Sequence, residues 1–401
     1  MEKRILIYTN HYYPENFKIN DVVNWIDELN VHVRVITQIP NYPNGKFFKG
    51  YNFFKKNYQK KNKKIINRLP VIPRMAGKKI NLILNYISYF TSCLIFTFYL
   101  LISKKKYDYI IVHHTSPPFI AFHSIIYGMF YKTKKIYWEL DIWPETLSSL
   151  GIINSKILNG LIKKIMIFIY SYYDVILISS SSFIKTLKSR YNGKVEYFPN
   201  WADQVIEENS YKFKLNLTIP NNHRLIMYTG NIGYAQNFEF ILDLCSKTVN
   251  ERIYWVLVGD GRFKKNIKNA LKDNPSLKII LIDQVEINKI RSYLEISDFT
   301  LLSLSSEGVF TNTVPAKLQT YMCSSKPIIG IVEGESRDII LKANCGIILD
   351  SSNIKESINK LIEIVKLDDE TIYSLGQNGK RFYDNHYSSK LRKQQILKFI
   401  K

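Results

Sequence analysis

Residues 224–238 read RLIMYTGNIGYAQNF, and this stretch decides the fold class. The run 224–229 predicts a buried strand, Gly230 and Gly233 interrupt it, and a helical pattern begins near Ala235. A glycine turn between a strand and a helix is typical of parallel α/β sheets, and it can direct backbone N–H groups at an anion. A plain strand-to-helix turn gives the same pattern, and the spacing fits neither a dinucleotide fingerprint nor a Walker loop.

The same alternation of strand and helix continues outward in both directions and predicts parallel sheets with helices on both faces. We expect an α/β protein of two doubly wound, Rossmann-like domains that face each other across a ligand-binding cleft. The expected strands are 4–9, 31–37, 63–71, 108–113, 135–140, 174–179, 194–198, 252–259, 277–282, 298–304, 326–332 and 346–350. The expected division is a first domain 1–203, a linker 204–222, a second domain 223–383 and a C-terminal helix 384–401 that packs back on the first domain.

The composition indicates a folded, basic protein. Apolar residues make up 46% of the 401 residues, which excludes a disordered chain, and 56 Lys and Arg against 34 Asp and Glu give a net charge of +22. Such a charge favours anionic partners, although a genome that prefers lysine codons would produce it too. Four scattered cysteines without metal-ligand spacing and an N-terminus unlike a signal peptide predict a cytoplasmic protein without a metal site.

Residues 80–103 contain no charged side chain and are flanked by lysines on both sides. Their length would span a membrane, but polar residues are scattered through them and the flanking charges give no orientation. A helix that packs on a sheet or lies in the membrane interface, a true membrane span and some other element all remain open. We favour the first and expect docking on an anionic membrane surface.

Polar loops follow two further strands of the second half. Gly259-Asp260-Gly261-Arg262 ends one strand, so that Arg262 could reach a phosphate, although a surface turn reads the same way. In Thr311-Asn312-Thr313-Val314-Pro315-Ala316-Lys317, Pro315 suits the start of a helix. A cation in the first helical turn is disfavoured unless an anion binds there, so Lys317 is a candidate phosphate ligand or else a solvated lysine.

In the first half, His113-His114-Thr115 and Glu139-Leu140-Asp141 follow neighbouring strands. A histidine and a carboxylate at adjacent strand ends can position an acceptor hydroxyl. We therefore predict roles for His113, His114 and Asp141, with the reservation that adjacent histidines alternate faces in a strand and one of them can belong to the core.

Several short motifs resemble the GT-B-fold glycosyltransferases of family 4, nearest to the bacterial surface-polysaccharide branch that includes L-fucosamine transferases. The motifs are Tyr12-Tyr13-Pro14-Glu15-Asn16, Pro40-Asn41-Tyr42-Pro43-Asn44-Gly45, Ser116-Pro117-Pro118, Asp141-Ile142-Trp143-Pro144-Glu145, Pro199-Asn200-Trp201-Ala202-Asp203, Gly230-Asn231-Ile232-Gly233, Gly259-Asp260-Gly261 and Thr313-Val314-Pro315-Ala316-Lys317-Leu318-Gln319.

The resemblance implies a retaining, metal-independent transferase without a cofactor, which takes a UDP-linked donor, such as UDP-N-acetyl-L-fucosamine or a related deoxy amino sugar, in its second domain. The acceptor would be a polyprenyl-diphosphate-linked glycan at the inner face of the cell membrane, in O-antigen or capsule biosynthesis. The residues expected to contact the nucleotide sugar are Gly230, Asn231, Gly233, Gln236, Gly261, Arg262, Asn312, Thr313 and Lys317, and those expected to contact the acceptor are Asn10, His11, Tyr42 and Glu145.

The chain departs from the family pattern at its charged positions. The family's Arg and Lys after the glycine turn correspond to Asn231 and Gln236, and its two glutamates fall near Asn312 and Thr320. The diphosphate is therefore expected to rely on Lys317, Arg262 and backbone amides. Two alternatives stay open: a nucleotide-sugar 2-epimerase on the same fold, and a nucleic-acid binder, which the charge suggests but no recognised module supports.

Overall fold

The computed structural model describes residues 2–75, 79–208, 213, 215, 217, 219, 220 and 222–400. The chain forms two compact units, Met1–Phe198 with Lys393–Lys401, and Pro199–Arg392. This division falls five residues before the expected end of the first domain at 203. Eight of the 19 residues of the expected linker 204–222 lie outside the described residues, and its first four residues form a helix.

Unit 1 is built on one sheet of eight strands in the order β3-β4-β2-β1-β5-β6-β7-β8. Its strands are β1 (Arg4–Thr9), β2 (His32–Gln38), β3 (Tyr58–Lys61), β4 (Lys64–Leu69), β5 (Tyr109–His114), β6 (Lys134–Glu139), β7 (Val175–Ile178) and β8 (Lys194–Tyr197). Its helices are α1 (Ile19–Asp27), α2 (Lys79–Ile102), α3 (Ala121–Phe130), α4 (Glu145–Ser149), α5 (Lys156–Ser171) and α6 (Phe183–Lys188), and a 3₁₀ turn at Pro118–Ile120 precedes α3.

Strand β3 is the exception to the expected parallel sheet. It pairs antiparallel with β4, and the two are joined through Asn62, whose φ of 52° makes the tight turn. The sequence of β3, YQKK, has no buried residue and gives no apolar signal, which is typical of a polar edge strand. The other strand pairs of this sheet run parallel, as expected.

Helix α2 packs one stripe of side chains on the sheet of unit 1. Asn85, Tyr89, Cys93, Thr97 and Leu100 are each at most 5% exposed, at the spacing of one helical face. The hydroxyl of Tyr89 donates to the carbonyl of Thr9 at 2.8 Å, and the Thr97 hydroxyl lies 3.1 Å from that of Tyr8. The uncharged segment is therefore a helix of this domain, which favours the first of the three expectations.

Unit 2 contains a six-stranded, fully parallel sheet in the order β11-β10-β9-β12-β13-β14. Its strands are β9 (Arg224–Asn231), β10 (Ile253–Asp260), β11 (Ile279–Ile282), β12 (Phe299–Ser303), β13 (Ile328–Ile331) and β14 (Gly346–Ile348). The helices are α7 (Gln204–Glu207), α8 (Phe238–Lys247), α9 (Lys264–Asp273), α10 (Ile287–Glu295), α11 (Ala316–Cys323), α12 (Glu335–Lys342), α13 (Ile354–Lys366) and α14 (Asp369–His386), and α15 (Ser389–Ile400) ends the chain.

The core of unit 2 follows from the apolar strand runs that the sequence shows. Ile226, Tyr228, Trp255, Leu257 and Leu301 are at most 1% exposed and belong to one continuous cluster with residues of α8 and α13. The two Rossmann-like parallel sheets predicted from the alternation are thus present.

From Lys393 onward the last helix belongs to unit 1, whereas the sequence analysis expects a C-terminal helix over 384–401. Gln395 donates to the carbonyl of Tyr197 at 2.7 Å, and the ammonium of Lys3 donates to the carbonyl of Ile400 at 2.8 Å. The start of α15 stays with unit 2, where the backbone N–H of Ser389 donates to Glu207 at 2.8 Å.

Candidate functional site

The glycine turn of unit 2 lies at the carboxyl edge of the sheet, where Gly230 of β9 and Gly259 of β10 are register partners. A Cβ at Gly259 would lie 1.8 Å from the carbonyl oxygen of Gly230, and Gly230 itself has a φ of +129°. Both positions therefore require glycine. The resulting edge presents bare backbone, which suits the close approach of a ligand.

Lys317 of α11 lies across this turn, so the fold brings together two motifs that are 87 residues apart in the sequence. Its ammonium donates to the Tyr228 hydroxyl at 2.7 Å and lies 4.1 Å from the centroid of the Tyr228 ring. A Cβ at Gly230 would stand 3.2 Å from Lys317 Cδ, which places the lysine stem against the turn.

The electrostatics of Lys317 suit an anion-binding group. Burial lowers the pKa of its ammonium to about 7, and no carboxylate pairs with it in the described part of the chain. Lys264 provides the contrast, because its buried ammonium is already held by the carbonyl of Gly259 at 2.8 Å and by Asp283 at 2.6 Å. Lys317 thus lacks the counter-charge that a bound phosphate would supply.

Most of the other residues predicted to contact the nucleotide sugar are already hydrogen-bonded or packed within the turn and its neighbouring loops. The side-chain oxygen of Gln236 accepts from the backbone N–H of Gly233 and from the Asn231 amide, both at 3.1 Å, so these three residues brace the turn. The Thr313 hydroxyl donates to the carbonyl of Val309 at 3.0 Å. A Cβ at Gly261 would lie 2.3 Å from the carbonyl oxygen of Ile232.

Two further residues predicted to contact the nucleotide sugar, Arg262 and Asn312, are exposed. Arg262 makes no ion pair with any described residue. The structure shows no contact that joins Arg262 to Lys317, so a shared role for the two in binding one anion stays a prediction.

In unit 1, His113 lies at the carboxyl edge of β5 with one ring nitrogen engaged. The Thr9 hydroxyl donates to the carbonyl of His11 at 2.8 Å, so His113 Nδ1–H is the donor in its 2.9 Å bond to Thr9 Oγ1. Burial, with smaller contributions from His11 and His114, lowers the pKa of His113 to about 3. The ring is therefore neutral near pH 7, and Nε2 carries a lone pair without a partner among the described residues.

His114 points to the opposite face of the sheet and is fully buried. Its Nδ1 pairs with Glu139, whose other oxygen accepts from the Tyr170 hydroxyl at 2.6 Å. Burial alone would lower the pKa of His114, but the Glu139 carboxylate outweighs it and the net pKa is raised. His114 is thus a core residue in a polar network, and of the two predicted histidines only His113 is placed to orient an acceptor.

Asp141 and Glu145 lie in the loop and short helix after β6. Asp141 accepts from the Ser116 hydroxyl at 2.9 Å, and Ser116 in turn accepts from the indole N–H of Trp143 at 3.0 Å. Glu145 pairs with Arg190, which also donates to the carbonyl of Trp143 at 2.9 Å. The predicted acceptor residue Glu145 is therefore engaged with Arg190, whereas Asp141 fixes the loop that follows β5.

The other acceptor candidates form a connected group. His11 Nδ1 lies 2.6 Å from Glu15, which also accepts the backbone N–H groups of Asn41 and Tyr42, both at 2.7 Å. Burial is the largest influence on His11 and lowers its pKa, so the neutral ring donates to Glu15 and can accept from Arg74 at 3.3 Å through Nε2.

The sequence reasoning missed Arg74, which lies at the centre of this group. Its guanidinium lies 5.3 Å from the centroid of Tyr42 and 5.5 Å from that of Tyr86. It follows β4 in a stretch without a recognisable motif, and the only signal was its position after a strand. Asn10 lies beside it and donates to the carbonyl of Thr115 at 2.8 Å.

A small pocket, partly open to solvent, lies at this edge of unit 1. It is lined by Asn10, Gln38, Arg74, Asn85, Tyr86, Tyr89, Phe90, Pro117, Phe119, Ile120 and His123. Within the described residues, no group of three or more His, Cys, Asp or Glu side chains is arranged to hold a metal ion.

Comparison with known proteins assigns the catalytic class. Residues 210–382 match the family model of the glycosyl transferases group 1. The chain is 20% identical over 330 residues to the putative colanic acid biosynthesis glycosyl transferase WcaI of Escherichia coli, which covers 79% of this chain and 80% of WcaI. It is 27% identical over 126 residues to the uncharacterized glycosyltransferase MJ1178 of Methanocaldococcus jannaschii, which covers 31% of this chain and 34% of MJ1178.

Solved structures with little sequence identity share the fold. Sucrose-phosphate synthase from Thermosynechococcus elongatus superposes with a TM-score of 0.75 at 12% identity, covering 100% of this chain and 98% of that one. WaaG, a glycosyltransferase involved in lipopolysaccharide biosynthesis, gives 0.66 at 11% identity, with 98% of each chain covered. Anabaena HepE, in complex with UDP and glucose, gives 0.66 at 12% identity, with 100% and 99% covered.

The two Rossmann-like parallel sheets and these matches together identify the chain as a glycosyltransferase of the GT-B fold, in which residues 210–382 are similar to the glycosyl transferases group 1.

Proposed function

We propose that this enzyme transfers a sugar, with retention of configuration, from a UDP-linked donor to a lipid-linked glycan in the synthesis of a bacterial surface polysaccharide such as O-antigen or capsule. The observation that carries the donor half is Lys317, whose buried ammonium lies across a glycine turn and pairs with no carboxylate of the described residues. The family resemblance supports UDP-N-acetyl-L-fucosamine or a related deoxy amino sugar as the donor.

The donor diphosphate would bind at the turn of unit 2, against Lys317 and the backbone of Gly230, with Arg262 within the same group of loops. In the transfer, the bond between the anomeric carbon and the diphosphate oxygen breaks, and UDP leaves with the electron pair. The acceptor oxygen forms the new bond to that carbon and loses its proton to the departing diphosphate. Lys317 would stabilise the charge that develops on the leaving group, and such a contact typically contributes about 10²–10³ in rate.

The acceptor hydroxyl would be oriented in unit 1 by His113. With a pKa of about 3 the ring is too weak a base to take a proton at neutral pH, but its Nε2 lone pair can accept a hydrogen bond from the hydroxyl. Asp141 would act through Ser116 by holding the loop after β5.

The enzyme would work as a peripheral protein on an anionic membrane. One helix among the described residues, Ile80–Ile102, is long and apolar enough to cross a membrane, and 22% of its most apolar window is buried. A core helix would be mostly buried, so this helix keeps an apolar face open. Ile83, Ile87 and Ile95 on that face are 51–67% exposed.

The neighbouring helices extend this surface. Helix α3 contacts both α2 and α5. On α3, Met129 and Phe130 are 62% and 66% exposed. On α5, Ile157 and Leu161 are 87% and 54% exposed. Helices α2, α3 and α5 contain no Asp or Glu, whereas Lys104, Lys105, Lys106, Lys132, Lys156, Lys163 and Lys164 lie on them or directly after them. An apolar surface with only positive charges suits anionic lipid, at about 1 kcal/mol per basic residue near the membrane.

A product assay tests the transfer. The enzyme, a panel of UDP sugars and a prenyl-diphosphate-linked sugar acceptor should release free UDP in proportion to glycosylated lipid. Conversion of the donor to an epimer without UDP release would favour the 2-epimerase instead, and tight, salt-dependent binding of duplex DNA without affinity for UDP would favour the nucleic-acid binder.

A vesicle sedimentation assay tests the membrane contact. The protein should sediment with vesicles that contain about 30% phosphatidylglycerol in otherwise neutral lipid, and salt should release it. The double change Ile83→Glu and Ile87→Glu should abolish sedimentation, whereas Lys265→Glu and Lys268→Glu on α9 of unit 2 should leave it unchanged. Equal binding to neutral and anionic vesicles would contradict the proposal.

A further inference from the structure

The pocket of unit 1 contains a cation that is not neutralised by the protein. No carboxylate pairs with Arg74 in the described part of the chain, and its side-chain contacts are the neutral His11 ring, the oxygen of Asn85 at 3.4 Å and the faces of Tyr42 and Tyr86. A guanidinium held in place by aromatic faces and amides is suited to bind an anion from the open side.

A second polar group on the pocket wall lacks a partner. Gln38, at the end of β2, is 3% exposed and lines the pocket, yet its side-chain amide makes no hydrogen bond with any described residue. Its amide atoms are not among the buried unpaired polar atoms of the described residues, so they reach solvent and are open to a ligand that enters the pocket. Arg74 and Gln38 thus provide donors from two different elements.

Beside the polar Asn10, Asn85 and His123, the rest of the pocket wall is aromatic and apolar. Tyr86, Tyr89 and Phe90 belong to α2, the helix that carries the exposed isoleucines, and Phe119, which is 41% exposed, lies in the 3₁₀ turn before α3. The pocket therefore combines an anion-binding group inside with an aromatic wall and an apolar surface outside. This arrangement fits a ligand whose charged head is joined directly to a hydrocarbon chain.

We propose that this pocket binds the diphosphate of a prenyl diphosphate, with Arg74 and Gln38 on the phosphate oxygens and the first isoprene units against Tyr86, Phe90 and Phe119. The inference rests on the proposed function in that the prenyl diphosphate would be the carrier of the acceptor sugar. It adds a second diphosphate site, separate in the chain from the one at Lys317.

Calorimetric titration with farnesyl diphosphate tests the site on the full chain, with inorganic pyrophosphate and farnesol as the two halves of the ligand. Farnesyl diphosphate should bind at least tenfold more tightly than either half. Equal affinity for pyrophosphate would overturn the lipid part of the proposal and leave a site for free diphosphate, and failure of farnesyl diphosphate to bind would overturn it entirely.

Variants assign the binding to the pocket. Arg74→Met keeps the stem between the tyrosine rings but removes the charge, and it should weaken farnesyl diphosphate binding at least tenfold, while Arg74→Lys should restore part of it. Gln38→Leu should weaken binding severalfold. It tests the same pocket from a second element if the Arg74→Met variant fails to fold. Unchanged affinity in both Arg74→Met and Gln38→Leu would refute the assignment.

The donor site serves as the matched control. Lys317→Met should lose UDP binding and keep farnesyl diphosphate binding, and Arg74→Met should do the reverse. If no UDP sugar binds but farnesyl diphosphate binds in an Arg74-dependent manner, the proposed transfer fails while this pocket assignment stands. If UDP binds and farnesyl diphosphate does not, the pocket assignment fails and the donor site stands.

Discussion

Replacing Lys317 by methionine should stabilise the folded protein while it abolishes donor binding. The lysine is held across the glycine turn without a carboxylate among the described residues, and burial lowers its pKa from 10.5 to about 7. At about 1.36 kcal/mol per pH unit, that difference corresponds to at most about 5 kcal/mol of unfavourable free energy in the folded state. The ammonium is buried but the residue as a whole is partly exposed, so after solvent screening we expect a gain of about 1–3 kcal/mol in the methionine variant.

The pH dependence of this gain has a definite sign. Between pH 7 and pH 10.5 the unfolded chain holds a proton on Lys317 that the folded chain has lost, so wild-type stability rises with pH across that window. The variant lacks this dependence. The stability advantage of the variant should be largest below pH 7, where the folded wild type holds a buried charge on Lys317, and should vanish as the pH approaches 10.5.

Thermal unfolding with and without UDP measures both effects. The variant should unfold at a temperature about 2–4 °C higher for each kcal/mol gained and should show no further rise with UDP, whereas the wild type should rise. Lys326→Met is the matched control, because burial also lowers the pKa of Lys326 but its ammonium holds the carbonyls of Glu295 and Ser297 at 2.8 and 2.7 Å. That control should be destabilised and keep UDP binding. A Lys317→Met protein that is less stable and still responds to UDP would refute the reasoning.

Three further perturbations separate the remaining roles. The affinity for UDP-glucose should fall by up to about tenfold per pH unit between pH 7 and pH 8.5, because the anion binds the protonated Lys317, and Lys317→Arg should flatten this profile in calorimetric titrations. His113→Ala should lower the transfer rate by about 10²-fold with unchanged UDP affinity, and a normal rate would exclude it as the orienting group. His114→Phe should lower the free energy of unfolding by about 3–5 kcal/mol in chemical denaturation, because it leaves Glu139 buried without its cation, and an unchanged midpoint would contradict the assignment of His114 to the core. Gly259→Ala should weaken UDP binding and stability together, since its Cβ would meet the carbonyl of Gly230, and a variant with wild-type melting and binding would show that the turn tolerates a side chain.

The sequence predicts the architecture well because the strands of buried parallel sheets are continuous apolar runs. Strands β1, β9 and β10 lie within a residue or two of the predicted bounds, since each is bounded by a polar or glycine-containing turn. Strand β3 was missed because YQKK is polar and exposed, and its pairing is set by the neighbouring hairpin turn rather than by any pattern of its own.

The site could be predicted only in part, because a motif shows residue types and not the direction in which they point. The sequence indicated Lys317 through its unfavourable place in a helix, and the fold brings it onto Gly230. The roles of the two adjacent histidines could not be separated until the strands on either side of β5 were known, because β1 places Thr9 beside His113 and β6 places Glu139 beside His114. Arg74 acquires its role from the rings of Tyr42 and Tyr86, which are distant in sequence and leave no local signal.

The return of Lys393–Lys401 to unit 1 has a consequence for biosynthesis. As a nascent chain leaves the ribosome, the first 198 residues emerge early, yet the bonds from Ile400 to Lys3 and from Gln395 to Tyr197 can form only after nearly 200 more residues have been translated. Unit 2, whose segment is continuous, can complete its tertiary structure while the earlier unit still lacks its closing segment. A translation pause or premature stop before Lys393 would therefore leave unit 1 without this segment, although every residue of its sheet had been made.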